Sequence, residues 1–445
     1  MNETTTVDGT TTADGTADGT AADGGTGHPF RYAAGVLHVG GLPLDRVVAA
    51  TGTPAYVYDL DAVAAAYRRI ADAFAPLGGR VLYAVKANSS LAVLACLARL
   101  GAGFDVVGGG ELVRVLEAGG DPGQVVFAGV GKTPAELALA VGHDVVVHVE
   151  SADELDALEM AAARAGRTAR FALRVNPDVE VDTHAYIQTG HDEAKFGVPA
   201  EVAEELFGRT AKGDYPHLHP VGVHVHVGSQ LPDPDGLVDA ARTGLGMIES
   251  GRAAGLELHA LDVGGGLPIS YDGDNRGAML PGPEVFAQAL APVVAGREVT
   301  LVIEPGRYLV GAAGALVASV LYRKHRSAGR MLVVDTGMHH LIRPALYQAT
   351  HRVVPLRQAP SAGPTEVVGP ICESTDVLAP AADLPDLAPG DLLAFLDTGA
   401  YGMTMASNYN SHPRPPEIVV EGGTARVTRR RETWDDLLAF EDSES

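Results

Sequence analysis

From residue 81 to residue 306 the chain repeats one pattern eight times, a short apolar run rich in β-branched residues and then a longer Ala/Leu-rich stretch. The runs are VLYAV (81–85), FDVVG (104–108), VVFAG (125–129) and DVVVHV (144–149), then FALRVN (171–176), VGVHVHVG (221–228), LDVGGG (261–266) and LVIEPG (301–306). Amphipathic stretches such as 90–100, 152–165 and 236–254 separate them. Parallel neighbours need a crossover, so alternating βα units imply a parallel sheet, and eight of them imply closure. The expected fold class is α/β, with a (β/α)8 barrel over residues 56–307.

The polar residues support closure. Lys86, Asp105, Glu150, Asn176, His226, Gly264 to Gly266 and Glu304 all fall at or near the C-terminal ends of their runs. In a barrel those ends converge on one face, where active sites are built. After Arg307 the long helical stretches stop. Runs such as ALVASVLY (315–322), MLVVD (331–335), LLAFL (392–396) and EIVV (417–420) are separated by Pro/Gly turns, which predicts a mainly antiparallel β domain over 308–440. Residues 28–55, leading into PAYVYD, are expected to add strand structure to that second domain. Residues 1–27, built from Thr, Asp, Gly and Ala, have almost nothing to bury and are expected to be disordered.

Composition removes several classes of partner. A net charge of −23 disfavours nucleic acid and anionic membranes. No run approaches the roughly 18 apolar residues of a membrane span, and the N-terminus lacks a secretory pattern. Two distant cysteines, Cys96 and Cys372, exclude a disulfide framework and fit a reducing cytoplasm. Only 5 of the 33 basic residues are lysine, which suits either a surface hydrated in strong salt or a GC-rich genome.

Lys86 ends the first run, in YAVKANSS. Desolvation at a barrel mouth is expected to lower its pKa and favour a Schiff base to a carbonyl cofactor. Gly264–Gly265–Gly266 and the turn Glu304–Pro305–Gly306–Arg307 follow the seventh and eighth runs, the usual phosphate site of such barrels. There the glycines bring N–H groups close to phosphate oxygens and Arg307 adds a charge-assisted contact. Glu304 is suited to hold a proton on a pyridine nitrogen. His224 and His226 alternate on one run and so share a face. No third ligand stands at matching spacing, so no metal is expected, and His226 reads better as an imidazole lying on a cofactor ring. His339 and His340, being adjacent, are expected to point in different directions. Cys96 reads as core. Cys372, in VGPICESTD, has neither a Cys–His pairing nor a CxxC around it.

Taken in order, these residues resemble one family closely. The blocks YAVKAN, FDVVGGGEL, VESADEL, RVNP, HAYIQTG, KFG, HVHVGSQ, LDVGGGL, EPGR, RPALY, GPICES, GAYG and SNYNSHPRPPE resemble the diaminopimelate decarboxylases from about residue 30 to 430. That family belongs to the barrel-fold decarboxylases dependent on pyridoxal 5′-phosphate (PLP), with the ornithine and arginine decarboxylases. The resemblance implies that Lys86 carries PLP, Asp105 lies beside it, His226 stacks on the ring and Glu304 pairs with the ring nitrogen. Phosphate is then held by Ser229, Gly264, Gly265, Gly266, Gly306, Arg307 and Tyr401. The distal end of the substrate falls to Arg307, Arg343, Tyr347 and Tyr401, with Glu373 on its ammonium. Cys372 and Glu373 are implied to reach the other subunit's barrel, making the sites shared in a homodimer.

The activity implied is decarboxylation of meso-2,6-diaminopimelate to L-lysine and CO2, the last step of lysine biosynthesis, with Cys372 and Lys86 as candidates to return the proton. Arg343 argues for a distal carboxylate. An ornithine, arginine or lysine decarboxylase is the alternative within the class, and a PLP-binding protein without catalysis the alternative outside it. Gly108 stands where the family often has serine, and His412 where arginine is common.

Overall fold

The computed structural model describes residues 27–177, 195–271, 280–327 and 329–441. The tail through residue 26 and the HAYIQTG block at 184–190 lie outside the described residues.

All eight apolar runs become strands: Arg80–Ala84, Gly103–Val106, Val125–Phe127, Val146–Val149, Ala169–Arg174, Leu218–His224, Ala260–Asp262 and Thr300–Ile303. They are parallel, follow chain order and close into a barrel when the eighth pairs with the first, Val302 with Arg80 and Ile303 with Val81. Several strands end sooner than their apolar runs. The seventh stops at Asp262 because Gly264 takes φ +69°, which extended backbone cannot accommodate.

The helices between them start where the sequence supplies caps. Asp59 accepts from Ala62 N at 3.0 Å to open Leu60–Phe74. Thr133 and Glu136 form a capping box on Pro134–Gly142, and Ser151 caps Ala152–Ala165, which Gly166 ends at φ +62°. Outward strand residues such as Phe104, Phe127 and Phe171 are fully buried beneath this helical layer. Truncating one of these phenylalanines to alanine is expected to cost about 3–5 kcal/mol.

The barrel interior is different. Its apolar layer is thin, with Leu82, Val126 and Val302 packed beside Val146. Two residues further along the fourth and eighth strands, and so on the same inward face, stand His148 and Glu304. With Asp105, His224 and Asp262 they form a buried polar tier at the C-terminal end of the barrel.

The second domain is a nine-stranded sheet built on Gly314–Arg326. That strand pairs antiparallel with Gly329–Val334, Leu392–Phe395 and Ala55–Asp59. Two parallel pairings interrupt the antiparallel pattern, Ala55–Asp59 with Glu417–Glu421 and Gly329–Val334 with Pro364–Val368. Arg31–Ala33, Val36–Val39 and Leu42–Pro43 form a separate three-stranded sheet, tied to the domain by Leu37 N donating to Leu356 O at 2.8 Å. Leu37 and Val39 pack with Val57, Val317 and Ile418. Ala55–Asp59 is thus the strand that enters the large sheet, and the barrel's own elements begin with the helix after it.

Candidate active site

The first barrel strand ends at Ala84, and a single helical turn, Val85–Ala87, lifts Lys86 into the barrel mouth. Its Nζ donates to Asp105 Oδ2 at 2.8 Å. The side chain lies deep among protein atoms yet stays 42% exposed, because a cavity opens onto it. Burial works against its charge, but Asp105, Glu304 and Tyr401 outweigh that effect and hold Lys86 above the usual ammonium value. The expected depression of its pKa is therefore corrected: three acidic neighbours win over desolvation. Asp105, fully buried and facing Glu304, is pushed up to about 6 despite the Lys86 contact.

The cavity is lined by Lys86, His226, Ser229, Gly265, Gly266, Glu304, Gly306, Arg307 and Tyr401. Its glycines are required. A Cβ on Gly264 would meet the His226 ring at 2.3 Å, and one on Gly265 would meet the Glu304 carbonyl at 2.6 Å. Gly265 N donates to His226 Nδ1 at 3.3 Å, so that nitrogen accepts, and burial with Arg174 nearby keeps the ring neutral. Arg307 donates to Ser229 Oγ at 3.4 Å and to the Tyr271 hydroxyl at 2.6 Å, and its guanidinium sits 4.8 Å from the Tyr401 ring centre. Arg307 Nε and Glu304 Oε1 are buried without a partner.

A second guanidinium stands beside the first. Arg343 is 6% exposed, opens the short helix Arg343–Tyr347, and lies 4.6 Å from the Tyr271 ring. It donates to His351 Nε2 at 2.9 Å, while His351 Nδ1 donates to Leu396 O at 3.1 Å. Burial, then Arg343, pushes His351 down to about 3, so it accepts as a neutral ring. Among the described residues no carboxylate pairs with Arg307 or Arg343. Two buried cations around one tyrosine make a receptor for an anion.

Tyr347, Cys372 and Glu373 are not part of this cavity. Cys372 and Glu373 are exposed on the β domain, where Cys372 N donates to Asn410 Oδ1 at 3.3 Å and Glu373 accepts from the Tyr409 hydroxyl. Tyr347 is half-buried. His339 and His340 depart from the expectation that they diverge: their ring centres are 3.6 Å apart, and His412 packs 4.8 Å from His339. The reason is that His340 N bonds Gly337 O in a turn, where strand alternation does not apply. Gly108 has room for a side chain, its nearest neighbour being Glu136 Oε1 at 3.9 Å from an added Cβ.

Sequence reasoning assigned no role to His148, Asp262, Tyr271 or His351. For the first two a signal existed, since each is a polar residue at an inward position of a strand otherwise built for burial. His148, His224 and Glu304 bring donor atoms within 4.8 Å of one another, a trio the His224–His226 spacing does not suggest. The two rings stack at 4.4 Å and 30°, so their lone pairs lie in nearly parallel planes rather than converging.

The family model described as pyridoxal-dependent decarboxylase, pyridoxal binding domain, matches residues 60–311. The chain is 45% identical over 416 residues to a diaminopimelate decarboxylase of Pseudomonas aeruginosa, covering 93% of this chain and 98% of that one. Among solved structures it resembles the diaminopimelate decarboxylase of Helicobacter pylori complexed with L-lysine, with a TM-score of 0.85 and 38% identity over 89% of this chain and 99% of that one. It also resembles the M. jannaschii diaminopimelate decarboxylase in co-complex with L-lysine, with a TM-score of 0.87 and 32% identity over 93% and 97% of the two chains.

Proposed function

Because the chain belongs to the pyridoxal-dependent decarboxylases, and among them to the diaminopimelate decarboxylase family, we propose that it converts meso-2,6-diaminopimelate to L-lysine and CO2. The observation that carries this reading is the pair of buried guanidiniums, Arg307 and Arg343, beside the Lys86 cavity. A diamine or amino acid ending in a bare ammonium would be repelled there, whereas the second carboxylate of diaminopimelate is matched.

The cavity fits PLP. The Gly264–Gly266 cradle has no space for side chains, Arg307 keeps an unpartnered Nε, and Glu304 keeps an unpartnered oxygen for a ring nitrogen. When bound, PLP supplies an electron sink for the pair left behind as CO2 departs. Lys86 would hold the cofactor's carbonyl carbon, and Asp105 would orient the Lys86 amine. Ser229, Gly264, Gly265, Gly266, Gly306, Arg307 and Tyr401 would take the phosphate. His226, neutral and fixed by Gly265 N, would cover one ring face. Glu304 would keep the ring nitrogen protonated. Arg343, steered by His351 and Tyr271, would bind the distal carboxylate.

Cys372 and Glu373 would complete the site of a second copy, with Glu373 on the distal ammonium, Tyr347 beside it, and Cys372 or Lys86 returning the proton. Their exposure outside their own chain's cavity supports a homodimer with shared sites. Two free thiols, one of them exposed, support a cytoplasmic setting. Measuring CO2 release from meso-diaminopimelate beside ornithine, arginine and lysine tests the reading. Faster release from any of the last three would overturn it.

A further inference from the structure

Beneath the cofactor cavity the polar tier holds more ionisable groups than the reaction above uses. His148, His224, Asp262 and Glu304 are each at most 5% exposed. The His148 ring reaches both acids: its Nε2 is 3.9 Å from Asp262 Oδ2 and its Nδ1 is 3.9 Å from Glu304 Oε1. Both of those oxygens are buried without a hydrogen-bond partner. Below them a cavity of about 100 Å³ extends from Arg80, Gln124, Arg170 and Thr300, at the N-terminal ends of the strands, up to His148 and Asp262. It is roomy and polar enough for water, where barrels of this kind are usually filled by apolar layers.

Two neighbouring buried carboxyls cannot both ionise. Glu304 shares the field of Lys86 and lies 3.5 Å from His224 Nε2. Asp262 lies in the field of Glu304 at the end of the eighth strand and of Asp105 on the second, and His148 on the fourth reaches its Oδ2 at 3.9 Å. Among the described residues no Lys or Arg pairs with it. Its other oxygen, Oδ1, accepts from Gly264 N at 2.9 Å. Burial, and then Glu304, hold the Asp262 carboxyl well above the usual carboxylate range.

We propose that Asp262 is a positioning residue that stays a neutral carboxylic acid and donates its proton in a hydrogen bond to Glu304, leaving Glu304 as the single anion toward the cofactor's ring nitrogen. His148 and the water-sized cavity below it are the route by which Asp262 exchanges that proton with solvent at the far end of the barrel. The inference rests on the PLP reading for its purpose, but the protonation state it assigns is independent of that reading.

The geometry makes asparagine a mimic. In Asp262→Asn the amide oxygen still accepts from Gly264 N and the amide N–H still donates to Glu304, with no charge to place. Alanine removes the donor.

The test uses the full chain at pH 8 and reads only the band that the Asp262 substitution removes, so other buried carboxyls cancel in the difference. The infrared difference spectrum between wild type and Asp262→Asn should contain the carbonyl stretch of a protonated carboxylic acid, sensitive to D2O. Asp262→Asn should bind PLP within about threefold of wild type, whereas Asp262→Ala should bind at least roughly tenfold more weakly. His148→Phe should slow deuterium entry into that infrared band by about tenfold or more.

An Asp262→Asn spectrum that keeps the band defeats the proposal, as does an Asn variant that loses PLP as badly as the Ala variant. An unchanged exchange rate in His148→Phe removes the conduit. If wild type itself failed to bind PLP, the functional reading would fall, and the infrared band would still decide the state of Asp262.

Discussion

The barrel mouth and the Cys372 surface of the β domain belong to the same proposed reaction but are built in opposite ways. At the mouth, the groups sit on strand ends, buried, with several polar atoms held unpartnered. Such atoms are expensive to keep and are tolerated where a ligand will satisfy them. At the β-domain surface Cys372 and Glu373 are exposed, and their neighbours Tyr409 and Asn410 belong to one irregular segment whose Asn410 takes φ +52°. The first region carries the proposed cofactor-holding groups within one chain, whereas the second has no cavity of its own. In the proposed reading, preorganisation is concentrated where the cofactor would bind, and a second copy would supply the remaining groups.

The largest expected effect tests the completeness of the barrel half. Lys86→Ala should lower kcat by about 10³-fold or more, since it would remove the amine proposed to hold the cofactor covalently. Borohydride should fix PLP to Lys86 among the five lysines of the chain. A label on any other lysine would break the assignment.

A slightly smaller effect tests the incompleteness of the β-domain half. Lys86→Ala and Cys372→Ala homodimers should each be impaired. Mixed at equal concentration and allowed to exchange, half of the dimers carry one intact site of two, so about one quarter of wild-type activity should return. No recovery, with exchange shown by an independent label, would mean that each chain works alone.

Arg343 stands beside Tyr271 but outside the Lys86 cavity, and its effect should be intermediate. Arg343→Ala should lower kcat/KM for meso-diaminopimelate by about 10- to 150-fold, the loss of a charge-assisted contact of roughly 1.5–3 kcal/mol. The visible spectrum of the cofactor should stay unchanged, because Arg343 does not line the Lys86 cavity. Arg343→Lys should recover little, since an ammonium lacks the planar fork. Unaltered kcat/KM in a folded, PLP-loaded variant would reopen the choice of substrate.

The same contrast explains what the sequence revealed. The eight barrel strands were legible because burial on both faces demands continuous apolar runs, and Lys86, Glu304 and the glycines were legible because they interrupt those runs at their ends. Asp262 and His148 sit in the quoted runs, but their roles depend on which strands face each other across the barrel, which periodicity does not encode. Gly314–Arg326 was read only as far as Tyr322. Its last residues, Arg323 to Arg326, are exposed and charged, and they are held extended by pairing with Gly329–Val334 rather than by burial. Tyr271 and His351, which steer the two guanidiniums, lie on loops where no pattern marks them.

The smallest effect concerns what holds the β-domain surface in place. Glu432 accepts from Arg414 N at 2.9 Å, Arg414 Nε at 2.7 Å and Asn408 Nδ2 at 2.8 Å, and so clamps both ends of the segment that carries Tyr409 and Asn410. Burial alone would raise its carboxyl, but the Arg414 and Asn408 contacts outweigh that and bring it down to about 2. A folded-state value below the unfolded one, near 4.5, means that the contribution is fully present above about pH 4.5 and fades as pH falls toward 2. The full shift would correspond to more than 3 kcal/mol, but a clamp this near the surface is screened, and about 1–2 kcal/mol is the expected worth. Glu432→Gln should therefore lower the melting temperature at pH 7, with the gap to wild type narrowing at pH 4 and in high salt. The polar tier of the barrel, being buried, should show no such salt dependence in the matching comparison of Asp262→Asn with wild type. A Glu432→Gln gap that held constant from pH 7 to pH 4 would show that Glu432 acts through packing alone, and the contrast between a preorganised interior and an electrostatically clamped surface would lose its physical basis.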